Sequence, residues 1–341
     1  MIYLLKPIIT FFTCFLFMSM PAQEGGTARF VFYNVENLFD IYDDSLTIDE
    51  EFTPEASKGW TANRYHDKLD RIAKTLTAAG EWNFPAFVGL CEVENRSVLQ
   101  DLVEHRLLSA AGYGIIHRES PDSRGIDVAL LYNPNIFSVL DSHWIPIIFD
   151  VDPEMQTREI LYVKGIVFEK DTLHIFINHW PSRWGGVEGS QPKRLTVAKK
   201  LREYTDSLFL FCRNPNILIA GDLNDNPVDS SVHRILGAEK QFDGSRNILV
   251  NLMFPVYEKQ NEGSLKYKSD WEVYDQLIVS SALLDTIALH VQDNRAYIFS
   301  APFLLTDDEK YLGKKPFRTY AGPSYLGGFS DHLPVYLDLV K

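Results

Sequence analysis

Short apolar runs separated by polar turns predict a chain dominated by β-strands. Arg29 to Val35, Phe84 to Cys91 and Asn216 to Ala220 are each rich in aromatic, β-branched or aliphatic residues and have the length of a strand. The same pattern predicts six more strands, at Ile126 to Tyr132, Phe137 to Leu140, Glu159 to Phe168, Thr172 to Asn178, Val273 to Ser280 and Val335 to Leu339.

Two longer segments have helical periodicity. Asn63 to Ala79 places Leu69, Ile72 and Leu76 at helical spacing, and Pro192 to Leu210 predicts a second, longer helix. Several predicted strands are joined too tightly for parallel crossovers, which need a dozen or so residues. We therefore predict an α/β sandwich, in which two packed mixed β-sheets are flanked by helices, rather than a doubly wound parallel sheet.

The N-terminal residues have the composition of a secretory signal peptide. Lys6 precedes an apolar run from Pro7 to Met20, which is shorter than the roughly 20 residues that a membrane-spanning helix needs. We predict a signal peptide over residues 1–22, cleaved after Ala22, with an uncleaved anchor as the alternative. The remaining residues, 23–341, are predicted to form one catalytic domain that is exported to the periplasm or the extracellular space.

Composition and charge narrow the class of function. At 45% hydrophobic and 13% aromatic residues, the chain can bury a large core without disulfides. Cys91 and Cys212 lie in or beside apolar segments and are predicted to be buried thiols, although an exported protein could pair them. A formal charge of −13 argues against a passive electrostatic binder of nucleic acid, but not against an enzyme that meets phosphates with a divalent metal.

Polar side chains recur where predicted strands end or begin. Residues at the ends of strands on one edge of a rigid sheet can assemble a site from distant segments. The residues with this placement are Asn34, Glu92, His179, Asp222, Asp275, Asp331 and His332. Glu92 and Asp331, with the amide of Asn34, offer the hard oxygen ligands that Mg²⁺ or Mn²⁺ prefers.

The two histidines need a carboxylate behind them to fix the tautomer of each ring. Asp275 and Asp127 are the candidates for that role. Histidine can both stabilise charge on phosphate oxygens and move protons. The alternative for His179 or His332 taken alone is a hydrogen-bonded turn residue.

Six motifs together resemble the endonuclease/exonuclease/phosphatase superfamily. They occur in that family's order and cover nearly the whole chain after the signal peptide. They are NVENLFD at Asn34 to Asp40, LCEVEN at Leu90 to Asn95, INHWPSR at Ile177 to Arg183, GDLND at Gly221 to Asp225, YDQLIVS at Tyr274 to Ser280 and SDHLPV at Ser330 to Val335.

The resemblance implies a four-layer α/β sandwich with a metal site at one edge of the two sheets. By motif, Glu92 and Asp331 would bind the divalent ion, Mg²⁺ or Mn²⁺, with Asn34 nearby. Ca²⁺ is a possible second, structural ion.

The same resemblance assigns roles in catalysis. Asp222 and Asn224 would align the attacking water and the phosphate. His332, held by Asp275, would activate water or stabilise the transition state. His179 would protonate the leaving oxygen or brace the phosphate.

A closer likeness, to the secreted deoxyribonuclease-type members, rests on FSVLDS at Phe137 to Ser142 and QTREILYVKGIVF at Gln156 to Phe168. Arg158 falls where those enzymes carry an arginine that contacts phosphate. Arg183, in the loop after His179, is a second candidate for phosphate binding. Asp127 would orient His179 by a looser alignment.

The leading interpretation is a monomeric, exported, metal-dependent nuclease that cleaves DNA, and RNA as a second substrate, by direct attack of water. Arg318 also flanks the site, and Trp184, Tyr267 and Tyr320 stand beside basic residues where they could stack on bases. The alternative is a phosphodiesterase or phosphatase on a lipid or small-molecule headgroup, similar to a sphingomyelinase, with Ala301 to Gly313 as its membrane-contacting loop. A binding module without catalysis is the third interpretation.

Overall fold

The computed structural model describes residues 26–150 and 152–341. The predicted signal peptide, residues 1–22, lies outside the described residues. Among the helices in the described part of the chain, none is long and apolar enough to cross a bilayer. Cys91 is buried, as predicted, whereas Cys212 is partly exposed, and both are free thiols in the structure.

The described residues form four α-helices and twenty strands. The helices are α1 Ala62–Ala79, α2 Arg96–Glu104, α3 Val187–Phe211 and α4 Phe254–Tyr257. The strands are β1 Thr27–Leu38, β2 Phe87–Val93, β3 Gly114–His117, β4 Asp127–Tyr132, β5 Phe137–Ile145, β6 Ile160–Val167, β7 Asp171–His179, β8 Asn216–Asp222, β9 Ala238–Glu239, β10 Leu249–Asn251, β11 Leu265–Tyr267, β12 Asp270–Glu272, β13 Asp275–Ser280, β14 His290–Val291, β15 Tyr297–Ile298, β16 Leu305–Asp307, β17 Lys314–Pro316, β18 Tyr320–Ala321, β19 Ser324–Tyr325 and β20 Val335–Val340.

Most strands belong to two mixed sheets. The first runs in the order β14-β20-β1-β2-β4-β3, with β15 also paired to β20, and the second runs in the order β5-β6-β7-β8-β13-β10-β9. Strands β1 and β2 are parallel, as are β7 and β8, and most of the other neighbours are antiparallel. Three two-stranded hairpins, β11-β12, β16-β17 and β18-β19, lie outside the sheets.

Three apolar interfaces join four layers. Side chains of both sheets, such as Phe32 and Ile175, form the central core. Helix α1 packs Leu69 and its neighbours on the outer face of the first sheet, and α3 packs Leu201 and its neighbours on the outer face of the second. The predicted α/β sandwich of two mixed sheets with outer helices is confirmed.

Nine of the twenty strands were predicted, and the eleven that were missed are two to four residues long. The helices also differ from the prediction. Helix α2 has no predicted counterpart, and it is short, with the side chain of Asn95 accepting a hydrogen bond from Val98 N at its start. Helix α3 begins at Val187, before Pro192, although a proline commonly marks a first turn. The extra turn is held by the hydroxyl of Ser190, which donates to Gly186 O at 2.7 Å.

Buried His174 should make the fold sensitive to acid. Its Nδ1 lies 2.8 Å from the hydroxyl of Tyr162, and burial lowers the pKa of this imidazole from 6.5 to about 4. The unfolded chain therefore binds a proton that the folded chain resists, so the stabilising contribution is present above pH 6.5 and is lost as the pH falls toward 4. We expect a loss of about 3 kcal/mol in the free energy of unfolding across that window.

Denaturant titration of His174→Gln over the same pH range tests this, because the variant lacks the titrating group. The pH slope should shrink in His174→Gln and should persist in the control His143→Gln, where the original side chain is half exposed. An equal slope in all three proteins would contradict the assignment.

Candidate active site

Strand register brings the predicted polar residues to one edge of the molecule. His179 ends β7 opposite Asp222 at the end of β8, and Asp222 is opposite Asp275 at the start of antiparallel β13. In the first sheet Asn34 is paired with Cys91, one residue before Glu92. The two sheets therefore present these side chains at the same edge because neighbouring strands end or begin there.

Asp222 Oδ2 is the point on which three nitrogen atoms converge. Asn34 Nδ2 donates to it at 3.0 Å, while His179 Nε2 lies 3.7 Å away and His332 Nε2 lies 3.8 Å away. The first distance is a hydrogen bond. The other two exceed hydrogen-bond length and are suited to a bridging water or substrate oxygen.

His332 and Asp275 form a tight dyad. His332 Nδ1 lies 2.6 Å from Asp275 Oδ2, which directs Nε2 toward Asp222. Two contacts hold the dyad: His332 N donates to Ser330 Oγ at 3.0 Å, and Asp275 N donates to Ser264 Oγ at 3.1 Å. The predicted pairing of these two residues is therefore present in the structure.

The buried groups of the site are driven to different protonation states. Burial raises the pKa of the Asp222 carboxyl to about 7, with His332 opposing and Asp275 supporting the rise. Burial alone would lower the pKa of His332, but the charges of Asp275 and Asp222 raise it well above its usual value. Burial and the charge of Arg158 hold the pKa of His179 well below its usual value. At neutral pH the site thus contains a cationic imidazole and a neutral one, which suits them to different tasks.

Part of the backbone at this edge adopts the left-handed conformation. Four non-glycine residues around the site have positive φ: Glu36 at 52°, Asn37 at 59°, Glu92 at 61° and Asn224 at 51°. Such conformations are sparsely populated and persist where surrounding contacts impose them. Here the contacts are specific: Asn37 N donates to Glu92 Oε2 at 3.0 Å, and Asn224 N donates to Asp222 Oδ1 at 2.9 Å.

Asn34 links the two sheets through its amide. Its Nδ2 donates to Glu92 Oε1 at 3.2 Å and to Asp222 Oδ2 at 3.0 Å. Its Oδ1 accepts from Glu36 N at 2.9 Å, which fixes the orientation of the amide. Asn34 therefore faces the carboxylates with its nitrogen, and its part in a metal site is to position Glu92 rather than to offer its oxygen.

Glu92 and Asp331 retain the donors for a divalent cation. Each Glu92 oxygen accepts one hydrogen bond, from Asn34 or Asn37, and a carboxylate oxygen has a second lone pair. Asp331 is paired with Arg318 at 3.0 Å and is partly exposed. Two accessible carboxylates with unused lone pairs fit Mg²⁺ or Mn²⁺, which usually keep several waters and take few protein ligands.

A second set of potential metal ligands lies close to Glu92 and Asp331. Asp222, Asp275 and His332 each offer an atom within 4.8 Å of the others. The short Asp275–His332 contact of 2.6 Å has the geometry of a shared proton, which a metal bound to both groups would displace. The donor chemistry therefore favours Glu92 and Asp331.

The two arginines predicted to bind phosphate are engaged elsewhere. Arg158 is buried, pairs with Asp122 at 2.7 Å and donates to Trp180 O at 2.9 Å. Arg183 donates to Asn224 O at 2.8 Å and pairs with Asp225 at 2.9 Å. Both guanidinium groups hold the loops that carry His179 and Asp222, and their contact with substrate stays a prediction.

The structure does not place Asp127 behind His179, the orientation that the resemblance implied. Its Oδ2 lies 2.9 Å from His117 Nε2, and its Oδ1 accepts from Ser120 N at 2.7 Å. Both oxygens are therefore used, and His179 Nδ1 is buried without a hydrogen-bond partner. His117, on the strand β3 that the sequence pattern did not predict, is the residue that Asp127 orients.

Two residues of the site were absent from the predicted catalytic set. Glu36 is buried and receives Arg318 Nε at 3.2 Å and Thr319 N at 2.6 Å. Lys68, buried on α1, donates to Thr319 Oγ1 at 2.6 Å and Phe329 O at 2.7 Å. Glu36 lies inside the NVENLFD motif and could have been found there, whereas Lys68 reads as an ordinary polar position of an amphipathic helix.

The exposed aromatic residues near the site are fewer than predicted. Trp184 is 91% exposed in the loop after His179, and Tyr267 is 59% exposed on the β11-β12 hairpin. Leu265 of that hairpin forms a β-bridge with His332, so the hairpin adjoins the site. Tyr320 is buried and cannot stack on a base.

Comparison with known proteins places this geometry in a family. The sequence model of the Endonuclease/Exonuclease/phosphatase family matches residues 29–341. No curated protein matches the chain in sequence.

Solved structures share the fold at low identity. A D. rerio TDP2 complexed with a single-stranded DNA product is 14% identical, with a TM-score of 0.55 over 92% of this chain and 98% of that one. The human Nocturnin catalytic domain with bound sulfate is 17% identical, with a TM-score of 0.55 over 92% and 94%. A mannosyl-6-phosphatase of Bacteroides thetaiotaomicron is 15% identical, with a TM-score of 0.54 over 92% and 99%. The chain therefore belongs to the endonuclease/exonuclease/phosphatase family of metal-dependent phosphoric-ester hydrolases.

Proposed function

We propose that this protein is a phosphodiesterase that cleaves single-stranded DNA, and RNA as a second substrate, by direct attack of water. The observation that carries the proposal is the convergence of His179 and His332 on Asp222 Oδ2, at 3.7 and 3.8 Å, beside the carboxylates of Glu92 and Asp331. This arrangement brings a base, two imidazoles and donors for a cation to one small volume, which phosphoester cleavage requires.

The residues have different catalytic roles according to their positions in the site. Asp222 faces the open space between the imidazoles and accepts the proton of the attacking water, while Asn224 fixes its orientation through the backbone. His332, held by Asp275, stabilises negative charge on the phosphoryl oxygens. His179, whose imidazole burial keeps neutral, braces the phosphate by a hydrogen bond from its ring N–H. Mg²⁺ or Mn²⁺ bound by Glu92 and Asp331 would supply Lewis-acid stabilisation of the same charge.

The preference for a single strand rests on the exposed aromatics. Trp184 is exposed in the loop after His179, and Tyr267 is exposed on the hairpin whose Leu265 forms a β-bridge with His332. An aromatic side chain can stack on any unpaired base, whereas a duplex hides the faces of its bases. Since the chain carries a charge of −13, it offers few contacts to phosphates, so binding should depend on stacking and should weaken only modestly with salt.

A lipid substrate has less support. Its predicted membrane-contacting loop, Ala301 to Gly313, packs Leu304 into an apolar cluster with Phe329 and pairs buried Asp308 with Lys266 at 3.1 Å. Leu312 is exposed at the tip, but a single leucine beside Asp307 and Glu309 is a poor membrane anchor.

The proposal includes export. The support is the apolar run from Pro7 to Met20 that follows Lys6. Expression with and without residues 1–22, followed by fractionation, tests the location. The full-length protein should leave the cytoplasm with its first 22 residues removed, and the truncated protein should stay inside.

The proposal also allows for a second, structural Ca²⁺ ion.

The substrate assignment is tested by removing the aromatic contacts. Trp184→Ala and Tyr267→Ala should each raise the KM for a single-stranded oligonucleotide by about tenfold or more, since stacking contributes about 1–3 kcal/mol per base. Neither change should alter the turnover of a small chromogenic phosphodiester. The control Trp82→Ala removes another exposed aromatic, on the loop after α1, and should have no effect. Hydrolysis of sphingomyelin without cleavage of DNA would overturn the proposal.

A further inference from the structure

A small cavity opens directly beside the catalytic carboxylates. It has a volume of about 200 Å³, and its lining includes Asn37, Phe52, Lys58, Arg318 and Tyr320. Asn37 N donates to Glu92 Oε2 at 3.0 Å, and Arg318 Nη2 pairs with Asp331 at 3.0 Å. The wall of the cavity is therefore in hydrogen-bond contact with both proposed metal ligands.

Two cations face this cavity in a strongly acidic protein. Arg318 is 44% exposed, in contrast to the buried Arg158. Lys58 Nζ lies 4.1 Å from the ring centroid of Phe52 and 5.3 Å from that of Tyr320. Stacking against two rings holds the ammonium group in place. The side chain of Lys58 is 16% exposed and that of its partner Glu51, at 3.0 Å, is 55% exposed, so an incoming anion has to replace a solvent-exposed carboxylate next to this ammonium group.

Glu36, the one carboxylate that lines the cavity, pairs with Arg318 and not with Lys58. Both oxygens of Glu36 are already used, by Arg318 Nε at 3.2 Å and by Thr319 N at 2.6 Å. The remaining capacity of Arg318 and the ammonium of Lys58 can therefore meet an anion that enters from the solvent side. Arginine and lysine together are typical partners of a phosphate group.

Size restricts what can enter. A cavity of about 200 Å³ is smaller than the roughly 300–1,000 Å³ of pockets for drug-sized ligands. It therefore suits one phosphate with part of a sugar rather than a complete nucleotide.

We propose that this cavity is a subsite for a second, non-scissile phosphate of the substrate, held between Lys58 and Arg318. The subsite makes the enzyme prefer a scissile ester that has another phosphate one nucleotide away over an isolated ester. This inference rests on the proposed function, since it names the neighbouring group that the same active site recognises.

Equilibrium binding tests the subsite without turnover. The probes are thymidine 3′,5′-bisphosphate and thymidine 5′-monophosphate, titrated calorimetrically into the full chain with Mg²⁺. The wild type should bind the bisphosphate at least tenfold more tightly. Lys58→Gln should lose most of that preference while binding the monophosphate unchanged, and Lys58→Arg should keep it. The control Lys240→Gln removes an exposed lysine of another surface pair and should behave as wild type.

Turnover separates failure of the subsite from failure of the proposed function. The p-nitrophenyl ester of thymidine 5′-phosphate is compared with the same ester carrying a 3′-phosphate. Lys58→Gln should raise the KM for the second ester by about tenfold and leave kcat and the first ester unaffected. A wild type that binds the two nucleotides equally, or a Lys58→Gln that binds both equally weakly, overturns the subsite. A wild type that prefers the bisphosphate but cleaves no oligonucleotide keeps the subsite and overturns the nuclease assignment.

Discussion

Asp222→Asn is expected to lower kcat for a phosphodiester by at least a thousandfold while the protein stays folded. Three nitrogen atoms approach Asp222 Oδ2, and an amide in its place can neither accept the proton of water nor stabilise a cationic His332. A positioned general base contributes about 10²–10⁴-fold, and the loss of electrostatic support for His332 adds to this.

Stability separates the catalytic role of Asp222 from a structural one. Burial raises the pKa of Asp222 to about 7, so the folded protein gains little from the ionised form and the neutral amide should leave Tm within a few degrees. The control Asp229→Asn changes a partly exposed acid that pairs with Arg183 in the following loop, and it should keep most of the activity. A folded Asp222→Asn protein with near-normal kcat would contradict the assignment.

His332→Ala should reduce kcat by a similar factor, and Asp275→Asn by less. The alanine removes the imidazole whose Nε2 faces Asp222. The asparagine keeps that imidazole but weakens the 2.6 Å contact that fixes its tautomer and charge. Single-turnover kinetics with a chromogenic phosphodiester and saturating Mg²⁺ measure both variants.

The order of the two effects is the informative part of that comparison. The control His290→Ala removes a histidine at the far end of β20 from His332 and should leave kcat unchanged. If the folded Asp275→Asn protein had a lower kcat than the folded His332→Ala protein, Asp275 would act directly on the substrate. Its assignment as the residue that orients His332 would then be wrong.

The strand-end residues were predictable because strand length and edge position are local properties of the sequence. Glu92, His179, Asp222 and His332 all follow or precede apolar runs that fold as predicted. Strand register then brings these residues together. Parallel β7 and β8, for example, end at the same edge of their sheet, with His179 opposite Asp222. The motifs of the family added the roles, which spacing alone did not indicate.

The cations were not predictable in the same way. The sequence pattern places Arg158 near the site, but its guanidinium group donates to Asp122, which is 36 positions away along the chain. Asp127 likewise serves His117 through the pairing of β3 with β4. Whether an arginine meets a substrate or a carboxylate of its own chain depends on such long-range packing. Arg318 is the opposite case, because its side chain is nearly half exposed and part of its guanidinium group can still contact a substrate.

Glycines near the C-terminus illustrate the same limit. Gly327 and Gly328 shortly precede Asp331 and His332 in the sequence, and small residues at this place predict a turn that approaches the substrate. In the structure, a Cβ at Gly328 would collide with the carbonyl oxygens of Phe317 and Arg318. Its small size therefore allows the His332 loop to pack on the strand segment that carries Arg318, and its connection with the substrate is indirect.

The most direct test of the account is a double-mutant cycle on Asp222 and His332, with kcat for a single-stranded oligonucleotide as the readout. If the two side chains act on one phosphate as a unit, Asp222→Asn combined with His332→Ala should be no more than about tenfold slower than the slower single variant, as in other catalytic groups that act together. Losses that multiply across the two sites would show that Asp222 and His332 act independently, and would contradict the shared site.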